Sequence, residues 1–147
     1  MYGQSNMGIR QRGRSGDPAN QRCILVVDDE PLNRKVFELS LAKRGYRVLQ
    51  ATDGFHGFVR AHDDRPDLIV MDVRLPGVSG LEVTRTLKES AYTRDIPIVV
   101  ATAFLIDDAE LRESGCDGYI SKPFALPKFL ALIESLVEQP AAAVAAE

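Results

Sequence analysis

Cysteine and histidine are scarce in this chain: it has only Cys23, Cys116, His56 and His62. No Cys/His cluster exists to hold zinc, and two thiols on different predicted elements do not make a disulfide framework. Also missing are a signal peptide and any apolar run near the roughly 20 residues needed to cross a bilayer. Together these absences predict a reduced, cytoplasmic setting with inert thiols and no membrane insertion. What is present, 147 residues with 45% apolar and 27% charged content, suits one globular domain with a real core and leaves no room for a second.

The charge is unevenly placed. Residues 1–22 carry Arg10, Arg12, Arg14 and Arg22 against Asp17; taking four basic and one acidic group from 18 and 21 leaves 14 and 20, a net −6 for the body. An acidic body argues against direct nucleic-acid binding by the folded part. Arginines dispersed among Gly, Ser, Gln and Asn read as a solvated leader, so residues 1–21 are expected to be a disordered basic segment, with Met7 a second candidate start. The Ala-rich end, residues 139–147, is expected to be a flexible tail.

From Cys23 onward, short apolar runs alternate with helical stretches, the pattern of an α/β sheet with helices on both faces. Strands are predicted at 23–28, 46–51, 67–72, 96–102 and 118–122. In the first helix, Pro31 suits the first turn and Asp29 is a candidate cap. Leu32, Val36, Leu39 and Lys43 follow one stripe, with Phe37 and Leu41 beside it, and the inner face is expected to pack on the sheet. The second helix, from about Asp53 to before Pro66, is expected to turn Phe55, Phe58 and Val59 inward. The loop 74–80 supplies turn chemistry before a third helix, a short fourth helix runs from about Asp107 to Ser114, and a fifth from about Leu126 to Val137. The Lys122–Pro123 bond is a candidate for cis.

Four of these apolar runs stop at a side chain that handles phosphate or metal. Residues 23–27 run into Asp28 and Asp29, 68–71 into Asp72, 98–101 into Thr102, and 119–121 into Lys122. Open parallel sheets bind ligands just beyond the carboxyl ends of their strands, so these residues are expected to converge in one crevice. Two like charges about 4 Å apart at an effective dielectric near 20 repel by about 4 kcal/mol, so three clustered carboxylates attract a hard cation. Magnesium fits, because it accepts one or two carboxylates and completes its octahedron with water and phosphate. Asp72 would then attack a phosphoryl group, with Lys122 and Thr102 offering charge and a hydroxyl to its oxygens. Ser121 should point to the opposite face of its strand. Each residue alone has an ordinary structural explanation, as helix cap, strand end or surface lysine; their joint placement favours a site.

Val27-Asp-Asp-Glu30, Met71-Asp-Val-Arg-Leu-Pro-Gly77, Ala101-Thr-Ala103 and Gly118-Tyr-Ile-Ser-Lys-Pro-Phe124 resemble the receiver domain of two-component response regulators, over roughly residues 22–138. Ser79–Thr84 and Gly115–Pro123 make the likeness greatest to single-domain receivers of the DivK type. The resemblance implies a flavodoxin-like, doubly wound five-stranded parallel sheet, (βα)5, in strand order 2-1-3-4-5. It implies Asp72 as phosphoacceptor and Asp28, Asp29, Asp72 and the backbone carbonyl of Arg74 as ligands of Mg2+, with Mn2+ able to substitute. Thr102 and Lys122 match the phosphate-binding hydroxyl and lysine, and Tyr119 the aromatic switch residue. The phosphoryl donor would be a phosphohistidine on a histidine kinase or histidine phosphotransfer protein. His56 and His62, on the second helix, do not fit that donor role and read as solvated. Between Thr102 and Lys122 the chain is about two residues shorter than the usual family spacing, so the fourth helix is expected to start late or pack loosely.

The expected function is that of a signalling phosphoacceptor with self-directed phosphotransfer and autodephosphorylation only. Its output would pass through protein contacts, in cell-cycle or developmental control, because no effector domain follows the fifth helix. Two other readings compete. One is a receiver-shaped binding module that is never phosphorylated. The other is a metal-dependent phosphatase with an aspartate nucleophile, which would need a second acid at the position held by Arg74. Phe104, two residues after Thr102, could influence water access to the phosphate, and loop packing explains it equally well.

Overall fold

The computed structural model describes residues 21–138, so the expected tail and, apart from Gln21, the expected leader lie outside the described residues. Strands β1 (Cys23–Val27), β2 (Arg47–Ala51), β3 (Leu68–Met71), β4 (Ile98–Thr102) and β5 (Gly118–Ser121) alternate with helices α1 (Pro31–Lys43), α2 (Gly54–Asp64), α3 (Gly80–Glu89), α4 (Asp108–Ser114) and α5 (Leu126–Val137). All strand pairs are parallel and the order is β2-β1-β3-β4-β5. The order reverses between β1 and β3, and an open sheet forms its binding crevice at such a reversal, beyond the strand ends. Observed strands stop a residue or two inside several predicted limits, the usual margin at element ends. Among the described residues, no helix is long and apolar enough to cross a membrane.

Strands β1, β3 and β4 are buried at every position, which is why they read as unbroken apolar runs. Alternation sends Ile24, Val26, Leu68, Val70 and Val99 to one face, where Phe37 and Leu41 of α1 meet Phe129, Leu130 and Ile133 of α5. Leu25, Val27, Ile69, Met71 and Ile98 face the other way, onto Ala61 of α2 and Val83 and Leu87 of α3. At least 20 cal/mol per Å² of apolar surface favours both contacts, so the register of each strand is fixed by two cores at once.

Two helices sit differently from the expectation. On α1, Leu32, Val36 and Leu39 are 68%, 47% and 56% exposed, whereas Phe37 and Leu41 are buried. The helix carries two apolar rows, and the row that wins has a partner: the Phe37 ring lies 5.1 Å from Phe129, which is itself 5.1 Å from Phe124. On α2, Phe55 is exposed and the buried positions are Gly54, Gly57 and Ala61. A Cβ on Gly57 would lie 3.0 Å from both Val27 methyls, and one on Gly54 only 2.5 Å from Val78 Cγ1. The close approach of α2 to β1 at Gly57, and to the start of α3 at Gly54, therefore selects the smallest residues and turns Phe55 outward.

The short helix α4 starts at Asp108 behind an Asp107 cap and stops at Gly115 in the left-handed conformation. Ser114 is its only buried residue, in keeping with the loose packing expected of the shortened segment. Phe37→Ala should destabilise the fold by about 3–5 kcal/mol, and Leu39→Ser by no more than about 0.5 kcal/mol, measured by urea denaturation. The opposite ranking would mean that the other row of α1 faces the sheet.

Candidate metal and phosphoryl site

Backbone hydrogen bonds carry the sheet one step past the strand ends and so fix where the site side chains begin. Asp28 N–H donates to Ala51 O at 3.1 Å, Asp72 N–H to Val27 O at 3.0 Å, and Lys122 N–H to Thr102 O at 2.8 Å. From these roots the side chains of Asp28, Asp29 and Asp72 bring carboxylate oxygens within 4.8 Å of one another. Asp28, Asp72 and Thr102 are buried, while Asp29 is exposed at the mouth. Lys122 reaches in with Nζ 3.2 Å from Asp28 Oδ2 and 3.5 Å from Asp72 Oδ2. Thr102 and Lys122 line the same cleft as Asp29 and Asp72, and Arg74 and Phe104 stand at its edge with the guanidinium 4.0 Å above the ring centre.

Asp28 is the most constrained acid. Its Oδ1 accepts from Glu30 N–H at 2.9 Å and its Oδ2 from Lys122. The expected cap on α1 is not formed: Glu30 holds the cap position without a side-chain bond, and Asp29 stands in the acid cluster instead. Pro31 at the first helical position leaves one fewer N–H in need of a cap.

Electrostatics concentrate on Asp72. Burial pushes its carboxyl above the usual aspartate range; Lys122 opposes that, the negative charge of Asp28 adds to it, and hydrogen bonds from Arg74 N–H and Lys122 pull back. One ammonium thus does not offset the crowding. A hard divalent cation would, and three carboxylates with oxygen donors only are the ligand chemistry such an ion prefers.

Gly80, read from the sequence as turn chemistry and within the Ser79–Thr84 motif, packs directly against the backbone of Asp72. Its N–H donates to Val73 O at 2.9 Å, and a Cβ there would lie 1.9 Å from Asp72 O. Helix α3, capped by Ser79 accepting from Leu81 N–H, therefore presses its first turn against the backbone of Asp72. Its spacing eight residues after the acid was the available signal. Tyr119 lies outside the cleft lining; its hydroxyl donates to Phe104 O at 3.5 Å, linking β5 to the loop that follows Thr102. Thr102 Oγ1 accepts from Phe104 N–H at 3.3 Å, so both contacts converge on one residue. Ser121 is exposed and away from the cleft, as strand alternation requires.

Parallel sheet, strand order and acid pocket define a protein class: residues 24–134 match the response regulator receiver domain, and the chain belongs to that family. Over 116 residues it is 40% identical to the polar-differentiation response regulator DivK of Brucella anthropi, covering 78% of this chain and 94% of that protein. The DivK of Brucella abortus matches equally. Among solved structures, the receiver domain of the sensor histidine kinase PA1611 of Pseudomonas aeruginosa, with a magnesium ion coordinated in its active-site cleft, superposes with a TM-score of 0.73 at 34% identity, covering 80% of this chain and 98% of that one. The chemotaxis protein CheY4 of Vibrio cholerae gives a TM-score of 0.73 at 26% identity, covering 79% and 98%.

The raised pKa of Asp72 makes a pH prediction. Because Asp72 ionises less readily folded than unfolded, its charge costs no stability below the unfolded range near about 4, and the full penalty applies above the folded value. Metal-free Asp72→Asn should therefore melt at a higher temperature than the parent at neutral pH, with the gain shrinking as pH falls through the folded value and gone by about 4. A gain that persists in acid would show that ionisation of Asp72 is not its source.

Proposed function

We propose that this receiver accepts a phosphoryl group on Asp72 from a phosphohistidine of a histidine kinase or histidine phosphotransfer protein. The observation that carries the reading is the meeting of three carboxylates within 4.8 Å, two of them buried and in contact with one lysine. A carboxylate oxygen of Asp72 attacks phosphorus, the P–N bond to the donor imidazole breaks, the imidazole leaves with its electron pair and takes up a proton, and an acyl phosphate remains. Attack of water on that phosphorus returns the carboxylate and inorganic phosphate.

Each other side chain has a part. Asp28, Asp29, Asp72 and the carbonyl of Arg74 would hold Mg2+, or Mn2+ in its place. Bound there, the ion would supply the positive charge that lets an anionic donor approach an anionic pocket. Lys122 holds a phosphoryl oxygen by charge, exchanging part of its contact with Asp72 for it. Thr102 donates its hydroxyl to another oxygen while its own oxygen, which accepts from Phe104 N–H, couples that donation to the loop after β4. Phe104 also accepts from Tyr119, so a shift of Thr102 toward the phosphate would be felt by the loop and by the tyrosine together. This is the support for Tyr119 as the switch residue. The receiver body would span residues 22–138, and its output would be contacts with other proteins. Likeness to DivK supports a place in polar differentiation, the class of cell-cycle or developmental control.

Incubation with acetyl phosphate and Mg2+ should add a single phosphoryl group by intact mass, stable to acid and labile to base, that is lost in Asp72→Asn and on chelation of the metal. No adduct under conditions that label another receiver would leave only the reading of an unphosphorylated binding module. Lys122→Ala should still fold and still accept phosphate yet lose the phosphorylation-dependent partner response; a normal response would remove the lysine from the mechanism.

A further inference from the structure

Asp28 and Asp29 sit in the short β1–α1 connection, and holding both acids toward one cation requires their shared peptide to be fixed. The carboxylate bonds of Asp28 restrain its side chain but leave its carbonyl, the far end of that peptide, to another group. Arg34 supplies it. From the first turns of α1 its guanidinium donates from one terminal nitrogen to Asp28 O at 2.8 Å and from Nε to Gln50 Oε1 on β2 at 3.0 Å. Residue 50 is held in turn, because Arg60 of α2 donates to its carbonyl at 3.2 Å. Gln50 lies in register with Val26 of β1, beside the end of the strand that delivers the acids.

We propose that Arg34 is a positioning residue for the metal acids: its planar fork, oriented by Gln50, holds the Asp28–Asp29 peptide so that both carboxylates address the same cation. The inference rests on the metal site proposed above and adds residues that touch neither cation nor phosphate. Two properties separate it from a plain structural bond. A guanidinium acting only through its charge would repel a cation, so its removal would tighten Mg2+ binding, whereas removal of a clamp loosens it. A lysine keeps the charge but cannot bridge a carbonyl and an amide at fixed angles.

Titration of the whole chain with Mg2+ alone, followed by the backbone amide resonances of residues 28–30 and 72–74, tests this with Arg34→Met, Arg34→Lys and Gln50→Leu, each checked for folding by its thermal melt. Groups that orient metal ligands typically change affinity 10- to 100-fold. Arg34→Met and Arg34→Lys should each weaken Mg2+ binding by about 10-fold, and Gln50→Leu, which alters no charge, should weaken it in the same direction. Unchanged or tighter binding in folded Arg34→Met, or parent affinity in Arg34→Lys, would overturn the clamp. If Arg34→Met does not fold, Gln50→Leu decides alone, with parent affinity overturning the proposal. Absence of Mg2+ binding by the parent would instead end the metal site itself, and the clamp with it.

Discussion

Like charge held against its own repulsion is the condition from which the rest of this molecule follows. Asp28 and Asp72 are buried beside each other with Asp29 at the rim, and a single ammonium, from Lys122, lies within 3.5 Å of the two buried acids. The imbalance registers on Asp72, whose carboxyl is raised by burial and by Asp28 despite the lysine. Such a pocket is stable only if the scaffold around it does not yield. Left to relax, the acids would part and take up water.

The scaffold does not yield because the residues bearing these groups are fixed by backbone and packing rather than by one another. Parallel register continues through Asp28, Asp72 and Lys122, so their main chains belong to the sheet even where their side chains have left it. Two apolar layers, one under α1 and α5 and one under α2 and α3, lock that register from both faces. Gly80 brings the start of α3 into contact with the backbone of Asp72, and Arg34 ties the carbonyl of Asp28 to β2. Repulsion among the acids is thereby opposed by the whole domain and not by the pocket alone.

The other side of the site is packed more loosely. Thr102 is buried at the end of β4, yet Ala103, Phe104 and Leu105 after it are exposed, and α4 beyond them buries one residue. Phe104 receives Arg74 on its ring, bonds Thr102 through its N–H and accepts from Tyr119 at its carbonyl. Few apolar contacts and exposed backbone bonds mark a segment that opens at small cost. A rigid acid pocket joined to a weakly held loop is the arrangement through which a change at one aspartate could reach the surface.

Much of this was legible in the sequence. Because β1, β3 and β4 are covered on both faces, their apolar runs are continuous, and the polar residue that ends each run marks the sheet's carboxyl edge: Asp28, Asp72 and Thr102 were identifiable on that ground alone. Helix faces were less legible. The stripe of Leu32, Val36 and Leu39 is as periodic as the Phe37–Leu41 row, and only the ring partners on α5 and the preceding loop decide which is buried. Phe55 misled because apolar character does not report how closely α2 approaches β1, where a glycine is needed. Gly80 carried only its spacing from Asp72 as a signal and Arg34 none, since each acts on a backbone carbonyl, one across a loop and the other beside a neighbouring strand. Strand positions and the kinds of side chain at their carboxyl ends are set by local chemistry repeated along the chain, whereas strand order was implied only by the family resemblance and is seen in the sheet. Which face of a helix is buried, and what holds a carbonyl in place, depend on distances between segments that no local pattern records.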